Sequence, residues 1–370
     1  MQKPRLLILV FLVYQMTVAS PDADSGVTGA TSPLTDYVKF LPKDILLPIF
    51  YTQEERDILI GTSLADALSQ KLLSLEKEFD QLRRETAAIP WCQSLWWHED
   101  TGILNLGDWK LADAMYRSRA LELPGGVGDS MVPVVDMANH SYAYNARFEI
   151  DENGNALLVV RDENSISDQQ EITIIYGCGG ACEMIFSYGF LEDDANNARE
   201  VFLSLSMPED DPLRMAKIRY ADEAPGVRLF VDELGQLKWE SEFVWWACVN
   251  EEDGLDFTVL QTSNGNKELR ALWKGQDFEA SQLRPLLMAD KLRDVFVLRA
   301  TMLILQRVEL QGMQLASTED HFEQAHDTPN VRPYTWKLIN KLRELELNLV
   351  TLAYETLEAQ VRLHAPESTP

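Results

Sequence analysis

Apolar positions along this chain run in long helical periods near both ends and in short, broken stretches between them. Leu64, Leu68, Leu72, Leu75, Phe79 and Leu82 recur at steps of three and four, which places them on one face of a helix. Ser63 stands at its start as a cap, and Gly61 ends the segment before it. Earlier still, residues 34–42 read as a short helical turn stopped by Pro42, and Thr52 caps another short helix after Pro48. Towards the C-terminus the spacing predicts a helix over 286–310 and a second over 334–360. The second carries Leu338, Leu342, Leu345, Leu349 and Leu352 at alternating steps of four and three. That seam packs one helix on another, and the partner is read as intramolecular.

The middle of the chain has a different texture. Residues 110–120 look helical. Residues 131–135 read as a short buried strand, and 171–176, rich in Ile and Thr, as another. Between them, Asn153-Gly154 marks a hairpin turn flanked by 148–150 and 156–161. A short helix is expected over 183–188. No strand–helix–strand period appears, which argues against a doubly wound sheet and for a small sheet of short strands. From about residue 195 the sequence mixes short helices and loops until the long helices begin. The fold class is therefore α+β, with a mainly helical back part.

The totals narrow the partners more than the fold. A chain of 370 residues has room for two or three domains of roughly 100–200 residues. The net charge of −26 comes with no local basic patch, which argues against nucleic-acid phosphates and anionic lipid. A basic protein segment fits better, and solubility alone explains the charge as well. Trp91, Trp96, Trp97 and Trp109 form a dense aromatic patch, read as core or interface packing, with a substrate surface as the alternative. Cys92, Cys178, Cys182 and Cys248 are unevenly spaced without a Cys-x-x-Cys pair. With scattered histidines, of which His321 and His326 read as solvated, no metal site is expected. The glycine-rich loop at 124–128 lacks the Gly-Lys-Ser/Thr ending of a phosphate loop and is set aside.

Residues 6–14 form an apolar run behind Lys3 and Arg5 and ahead of the small residues of 17–20. That is the pattern of a secretory signal. It is too short to span a bilayer, which takes about twenty apolar residues. The alternative reading is a buried core helix.

The chemistry-bearing residues gather between 131 and 190. Asp136-Met137-Ala138-Asn139-His140 makes an Asp-x-x-Asn-His turn; Tyr176-Gly177 ends the run EITIIYG, and Tyr188-Gly189-Phe190 ends FSYGF. On their own, both tyrosines read better as packing groups with satisfied hydroxyls, and the plain reading of His140 is a buried, hydrogen-bonded histidine. Together, in this order and spacing, these stretches resemble the core of SET-domain protein lysine methyltransferases. The narrower resemblance is to the Rubisco large-subunit methyltransferase-like group, in which a helical insert splits the SET domain and a helical substrate-binding domain follows.

That resemblance covers most of the chain. It implies a helical insert over 1–110, the C-terminal half of the SET domain over 111–194, and a substrate-binding-like domain over 195–370. It further implies a pseudoknot that threads the segment ending in Phe190 past the Asn-His turn. By the same resemblance Asn139 and His140 hold S-adenosylmethionine, residues 136–138 (Asp136 included) add main-chain contacts, and Arg119 meets its carboxylate. Tyr188, Gly189 and Phe190 close the pocket, and Tyr176 is the catalytic tyrosine. The Gly-x-Gly strand pair that opens such domains has no counterpart ahead of residue 6. The run 6–14 then reads as the first insert helix, in a form lacking the N-terminal part of the SET domain. Localisation is expected to be cytoplasmic or nuclear, with secretion as the alternative. The implied activity is protein-lysine N-methylation by a monomer acting on a protein with a basic, lysine-containing segment, without nucleic acid or membrane. The competing reading is a non-catalytic SET-like interaction module.

Overall fold

The computed structural model describes residues 4–22, 28–29, 31–124, 126, 128–161, 165–177, 179–221, 224–261 and 266–364. Lys3, Cys178, residues 23–27 and 30, residues 125 and 127 of the glycine-rich loop and the tail beyond 364 lie outside them. The chain divides into two compact units. The first comprises Met1–Arg56, Leu64–Gly179 and Glu183–Asp194; the second comprises Asp57–Ser63, Gly180–Cys182 and Ala195–Pro370.

The helical part of the first unit begins with α1 (Pro4–Ala19) and α2 (Pro33–Phe40). Then come α3 (Gln53–Asp57), α4 (Ser63–Thr86), α5 (Pro90–Leu95) and α6 (Leu106–Arg119). The apolar run at 6–14 is thus a packed helix. Leu9, Leu12 and Val13 are buried, against α2 and α6. Its polar side chains are tied in as well: Gln15 accepts from Thr35 Oγ1 at 2.6 Å, and Thr17 accepts from Trp96 Nε1 at 2.8 Å. Capping boxes at Ser32 and Asn105 start α2 and α6 by satisfying first-turn amides. In α4 the stripe read from sequence is buried at Leu64, Leu68, Leu75 and Leu82. Trp96 and Trp109 are core residues, and Trp91, Trp96 and Trp97 meet edge to face.

A buried charge cluster joins three of these helices. Asp113 of α6 is fully buried and accepts from Arg5 of α1 at 2.5 Å and from Lys71 of α4 at 2.8 Å. Arg5 also reaches Glu78 at 2.8 Å. Removing the shared carboxylate strands two cations in a poorly solvated place.

The sheet part of the first unit is built of short pairs. β1 (Leu121–Leu123) and β2 (Gly128–Ser130) pair antiparallel, as do β4 (Ala146–Ile150) and β5 (Ala156–Val160) around the Asn153-Gly154 turn. β3 (Asn139–His140) and β6 (Thr173–Ile174) pair in parallel, Asn139 opposite Thr173 and His140 opposite Ile174. Their apolar faces share one small core of Leu121, Leu123, Val135, Ala138, Ala146 and Ile174. The helix α7 (Ala181–Tyr188) follows.

Two expected strands differ from this. Residues 131–135 turn rather than extend, and a 3-10 turn covers Val135–Met137. Pro133 has no N–H to give a ladder, and Val134, 80% exposed, takes φ +76°. The strand expected over 171–176 shrinks to two residues because its partner is itself only two residues long.

The second unit has the long helices and, ahead of them, two sheets. β7 (Glu200–Ser204), β8 (Gly226–Val231) and β9 (Leu237–Glu240) form one antiparallel sheet; α8 (Arg214–Ala221) lies within that stretch of sequence and α9 (Phe243–Ala247) follows it. β10 (Leu255–Gln261), β11 (Lys267–Trp273) and β12 (Gln276–Phe278) form the other. These strands occupy sequence that reads as short helices and loops. Next come α10 (Leu283–Ala289), α11 (Arg293–Ser317), α12 (Glu319–Gln324) and α13 (Pro333–His364). The single helix expected over 286–310 is interrupted at Asp290, whose carboxylate accepts from the Leu292 amide at 3.0 Å, a local turn that competes with the helix. The leucine seam of α13 packs on α11, with Leu338, Leu342, Leu345 and Leu349 buried and Leu352 38% exposed.

Within this unit α13 also holds the Asp57–Ser63 segment. Arg343 donates to the Ile60 carbonyl at 3.0 Å, and Glu346 accepts from the Ser63 amide at 3.0 Å and from its hydroxyl. Burial pushes the Glu346 carboxyl up to about 7 from an ordinary 4.5, although both Ser63 donors oppose this.

Two outcomes are expected. Asp113→Ala lowers stability in denaturant titrations by about 3 kcal/mol, the low end for a broken buried pair because Arg5 keeps Glu78. For Glu346, the folded state holds its proton more tightly than the unfolded state does. Stability from this group is therefore full below about 4.5 and declines as pH rises through about 7. Glu346→Gln removes that decline, which melting temperatures measured across the same window will report.

Candidate active site

The site grows from the parallel bridge between β3 and β6, which sets the Asn-His turn beside the run ending in Tyr176. His140 Nδ1 accepts from the Tyr176 amide at 3.0 Å. In neutral imidazole this places the proton on Nε2, which faces Glu192 Oε1 at 3.8 Å. Glu192 in turn accepts from the Tyr142 amide at 2.8 Å. Tyr176 spends its own hydroxyl proton on the Ala138 carbonyl at 2.8 Å. One residue of the second stretch is thus fastened at both ends to the first.

Aromatic rings surround that fastening. Tyr176 and Tyr188 lie with centroids 4.6 Å apart, His140 lies 5.2 Å from Tyr176, and Phe190 lies 6.0 Å from His140. Tyr188 donates to the Tyr176 carbonyl at 3.3 Å. Gly189 ends α7 with φ +79°, its amide shared between the Met184 and Ile185 carbonyls. A Cβ there would stand 2.6 Å from the Leu46 carbonyl oxygen, so the turn that aims Phe190 back at His140 requires glycine.

A cavity of about 240 Å³ opens beside these rings. Arg119, Glu122, Asp136, Ala138, Ile174, Tyr176 and Tyr188 help to line it. Arg119 donates to the Asp136 carbonyl at 3.0 Å and to Met137 Sδ at 3.2 Å. Its buried Nε has no hydrogen-bond partner among the described residues, and neither has Asp136 Oδ1. The other oxygen of Asp136 accepts from the Tyr37 phenol of α2.

The structure therefore brings Arg119, Asp136, Tyr176 and Tyr188 to one cavity, with His140, Gly189 and Phe190 packed behind it. The Asn139 side chain goes elsewhere: it is exposed and donates to Glu171 at 2.6 Å. Tyr37, Glu171 and Glu192 were not visible as site residues in the sequence. Tyr37 is 99 positions from Asp136, and no local pattern joins the two.

Burial sets the electrostatics. It raises the Tyr176 phenol above its ordinary value, against the pull of Arg119. It pushes Tyr188 up to about 12, helped by Glu183 and by Tyr176 itself. Asp136 is also raised by burial, although the Tyr37 hydrogen bond and Arg119 both favour its anion. Both cavity phenols are therefore neutral at physiological pH. Neutral phenols offer hydrogen-bonding groups, not phenolate bases.

Comparison with known proteins meets this geometry at the level of the fold. No family model matches the chain. Over 278 residues it is 28% identical to SET domain-containing protein 8 of Schizosaccharomyces pombe, covering 74% of this chain and 61% of that one. Over 268 residues it is 22% identical to the actin-histidine N-methyltransferase of Danio rerio, covering 66% of this chain and 43% of the relative. The chain thus spans less than two thirds of the length of either curated relative. Among solved structures, the SET domain of LSMT bound to methyllysine and AdoHcy matches with a TM-score of 0.65 at 17% identity. Rubisco LSMT bound to AdoMet matches with a TM-score of 0.64 at 15% identity, and each match covers 98% of this chain and 76% of the other. The fold is the SET-type fold seen in those LSMT structures. In sequence it is similar to a SET domain-containing protein.

Gly189→Ala tests the geometry of the turn. It is expected to cost about 3 kcal/mol of stability, since both the positive φ and the approach of Leu46 oppose a side chain. Denaturant unfolding followed by tryptophan fluorescence measures the loss.

Proposed function

We propose that this chain carries the core of an S-adenosylmethionine-dependent protein methyltransferase that acts on lysine. The observation that carries this reading is the Tyr176 hydroxyl, committed as a donor to Ala138 beside a cavity that also bears Arg119. A phenol whose hydrogen is engaged in a donated hydrogen bond keeps its oxygen lone pairs as acceptors. Arg119, whose Nε has no hydrogen-bond partner among the described residues, is the group of choice for a carboxylate such as that of the cofactor's methionine part. Tyr188 would wall the pocket, with Gly189 and Phe190 supporting it from behind. His140 would hold the Tyr176 backbone in place, and Asn139 and residues 136–138 would supply the turn's contacts. A cavity of about 240 Å³ is smaller than the roughly 300–1,000 Å³ of sites that take a whole drug-sized ligand. The described residues are read as part of the cofactor site and as the end of a substrate channel.

When bound, S-adenosylmethionine supplies a methyl group already activated on a sulfonium. The protein has to position and desolvate. A lysine with an ordinary pKa near 10.4 arrives charged, and an apolar channel disfavours that charge. The Tyr176 oxygen can then accept from the neutral amine and aim its lone pair. Because both phenols stay protonated, the proton is expected to leave through water before attack. The net charge of −26 suits a basic, lysine-containing segment of a protein substrate. The curated relative from Danio rerio is named for a histidine product, so the acceptor residue is a point for experiment. A non-catalytic SET-like module is the second reading. It is favoured by the Asn139 side chain, which is engaged by Glu171 away from the cavity.

The test uses tritiated S-adenosylmethionine and a basic protein extract. Wild-type protein is expected to transfer label to lysine, identified by amino-acid analysis. Tyr176→Phe is expected to lower the rate by about a hundredfold, the scale of a positioned proton-handling or orienting group, while binding the cofactor normally. Label on histidine would change the acceptor. Equal transfer by both proteins would remove Tyr176 from the chemistry, and no transfer by either would favour the module.

A further inference from the structure

We propose that Tyr37 is a positioning residue for the Tyr176 hydroxyl, acting through the Asp136 carboxylate and the turn it anchors. Tyr37 lies on α2, far in sequence from the residues of the site, and its phenol donates to Asp136 Oδ2. Asp136 is 95% buried, from a relative exposure of 5%, and its Oδ1 has no hydrogen-bond partner among the described residues. Tyr37 gives this carboxylate its leading hydrogen bond, ahead of the amides of Asp136 itself and Val134, and losing it leaves buried charge less satisfied.

The turn around Asp136 is loaded. Val134, two residues earlier, holds φ +76° and ψ −48°, a conformation that a β-branched residue rarely adopts. Such a backbone persists only where its surroundings hold it. Val135 is buried in the small sheet core, and the side-chain tether next to it is the bond from Tyr37 to Asp136. Two contacts of the cavity hang on the same turn. The Asp136 carbonyl takes Arg119 Nη1 at 3.0 Å, and the Ala138 carbonyl takes the Tyr176 hydroxyl at 2.8 Å. A movement of the turn therefore shifts the acceptor that fixes the Tyr176 phenol. Arg119, Asp136 and Glu171 are the charged groups that act on that phenol, and Tyr188 packs against its ring. The coupling is physical rather than a matter of distance: a phenol, a carboxylate, a three-residue turn, a carbonyl and a second phenol follow one another in contact.

The functional meaning of this coupling rests on the methyltransferase reading, but its test does not. Tyrosines carrying ¹³C at Cζ give one resonance each, and Tyr176→Phe identifies the one for Tyr176. At neutral pH, Tyr37→Phe and Asp136→Ala are both expected to move the Tyr176 resonance towards that of a water-exposed phenol. Asp136→Asn keeps an oxygen that accepts from Tyr37 and is expected to leave the resonance in place. The double variant Tyr37→Phe, Asp136→Ala is expected to match Asp136→Ala alone, because both changes cut one link. Melting temperatures identify any variant that has unfolded, and Asp136→Asn against Asp136→Ala then carries the comparison. A Tyr176 resonance unmoved in folded Tyr37→Phe overturns the proposal. So does an Asp136→Asn shift as large as that of Asp136→Ala. If the resonance moves as expected while no methyl transfer is found, the coupling stands and the methyltransferase reading fails.

Discussion

A parallel pairing only two residues long, Asn139–His140 against Thr173–Ile174, is the constraint on which the site depends. So short a ladder supplies few hydrogen bonds of its own. Side chains complete it. Asn145 accepts from the Thr173 amide at 2.9 Å and donates to the Glu171 carbonyl at 2.8 Å. His140 takes the Tyr176 amide, and Tyr176 returns its hydroxyl to Ala138. Each bond is worth little by itself, about 1 kcal/mol net, yet each costs more to leave unmade in a buried place. The junction is therefore specific because its polar groups pair with one another.

From this junction the chemistry follows by exclusion of water. The ring cluster of His140, Tyr176, Tyr188 and Phe190 covers the bonds that hold it together. The same burial raises both phenols and keeps them neutral. A pocket wall of neutral phenols with fixed lone pairs suits an amine that has lost its charge. Such a wall would serve poorly as a base, and it does not need to be one if water removes the proton first.

Much of the helical framework was legible in the sequence because helices carry a long period. The stripe from Leu64 to Leu82 and the seam of α13 each repeat enough times to be unambiguous. The hairpin at Asn153-Gly154 was legible for a different reason, since that dipeptide suits a tight turn. The short strands were harder. Two or three residues do not make a period, and 131–135 looked like a strand although Pro133 spoke against it. In the second unit the alternation of buried and exposed positions in β8 is interrupted, and charged residues mask it in β11. The motif residues of the candidate site were found by resemblance, and most of them converge on one place. Tyr37 and Glu171 were not, because a hydrogen bond between residues far apart in sequence leaves no trace in local composition.

Hydrogen exchange with and without S-adenosylmethionine tests the central claim most directly. If, as proposed, the junction joins two distant stretches into one binding wall, cofactor is expected to slow amide exchange in 136–140 and in 173–177 together, at the same concentration. Protection of one stretch alone, or of neither while other parts of the chain respond, would contradict a shared site.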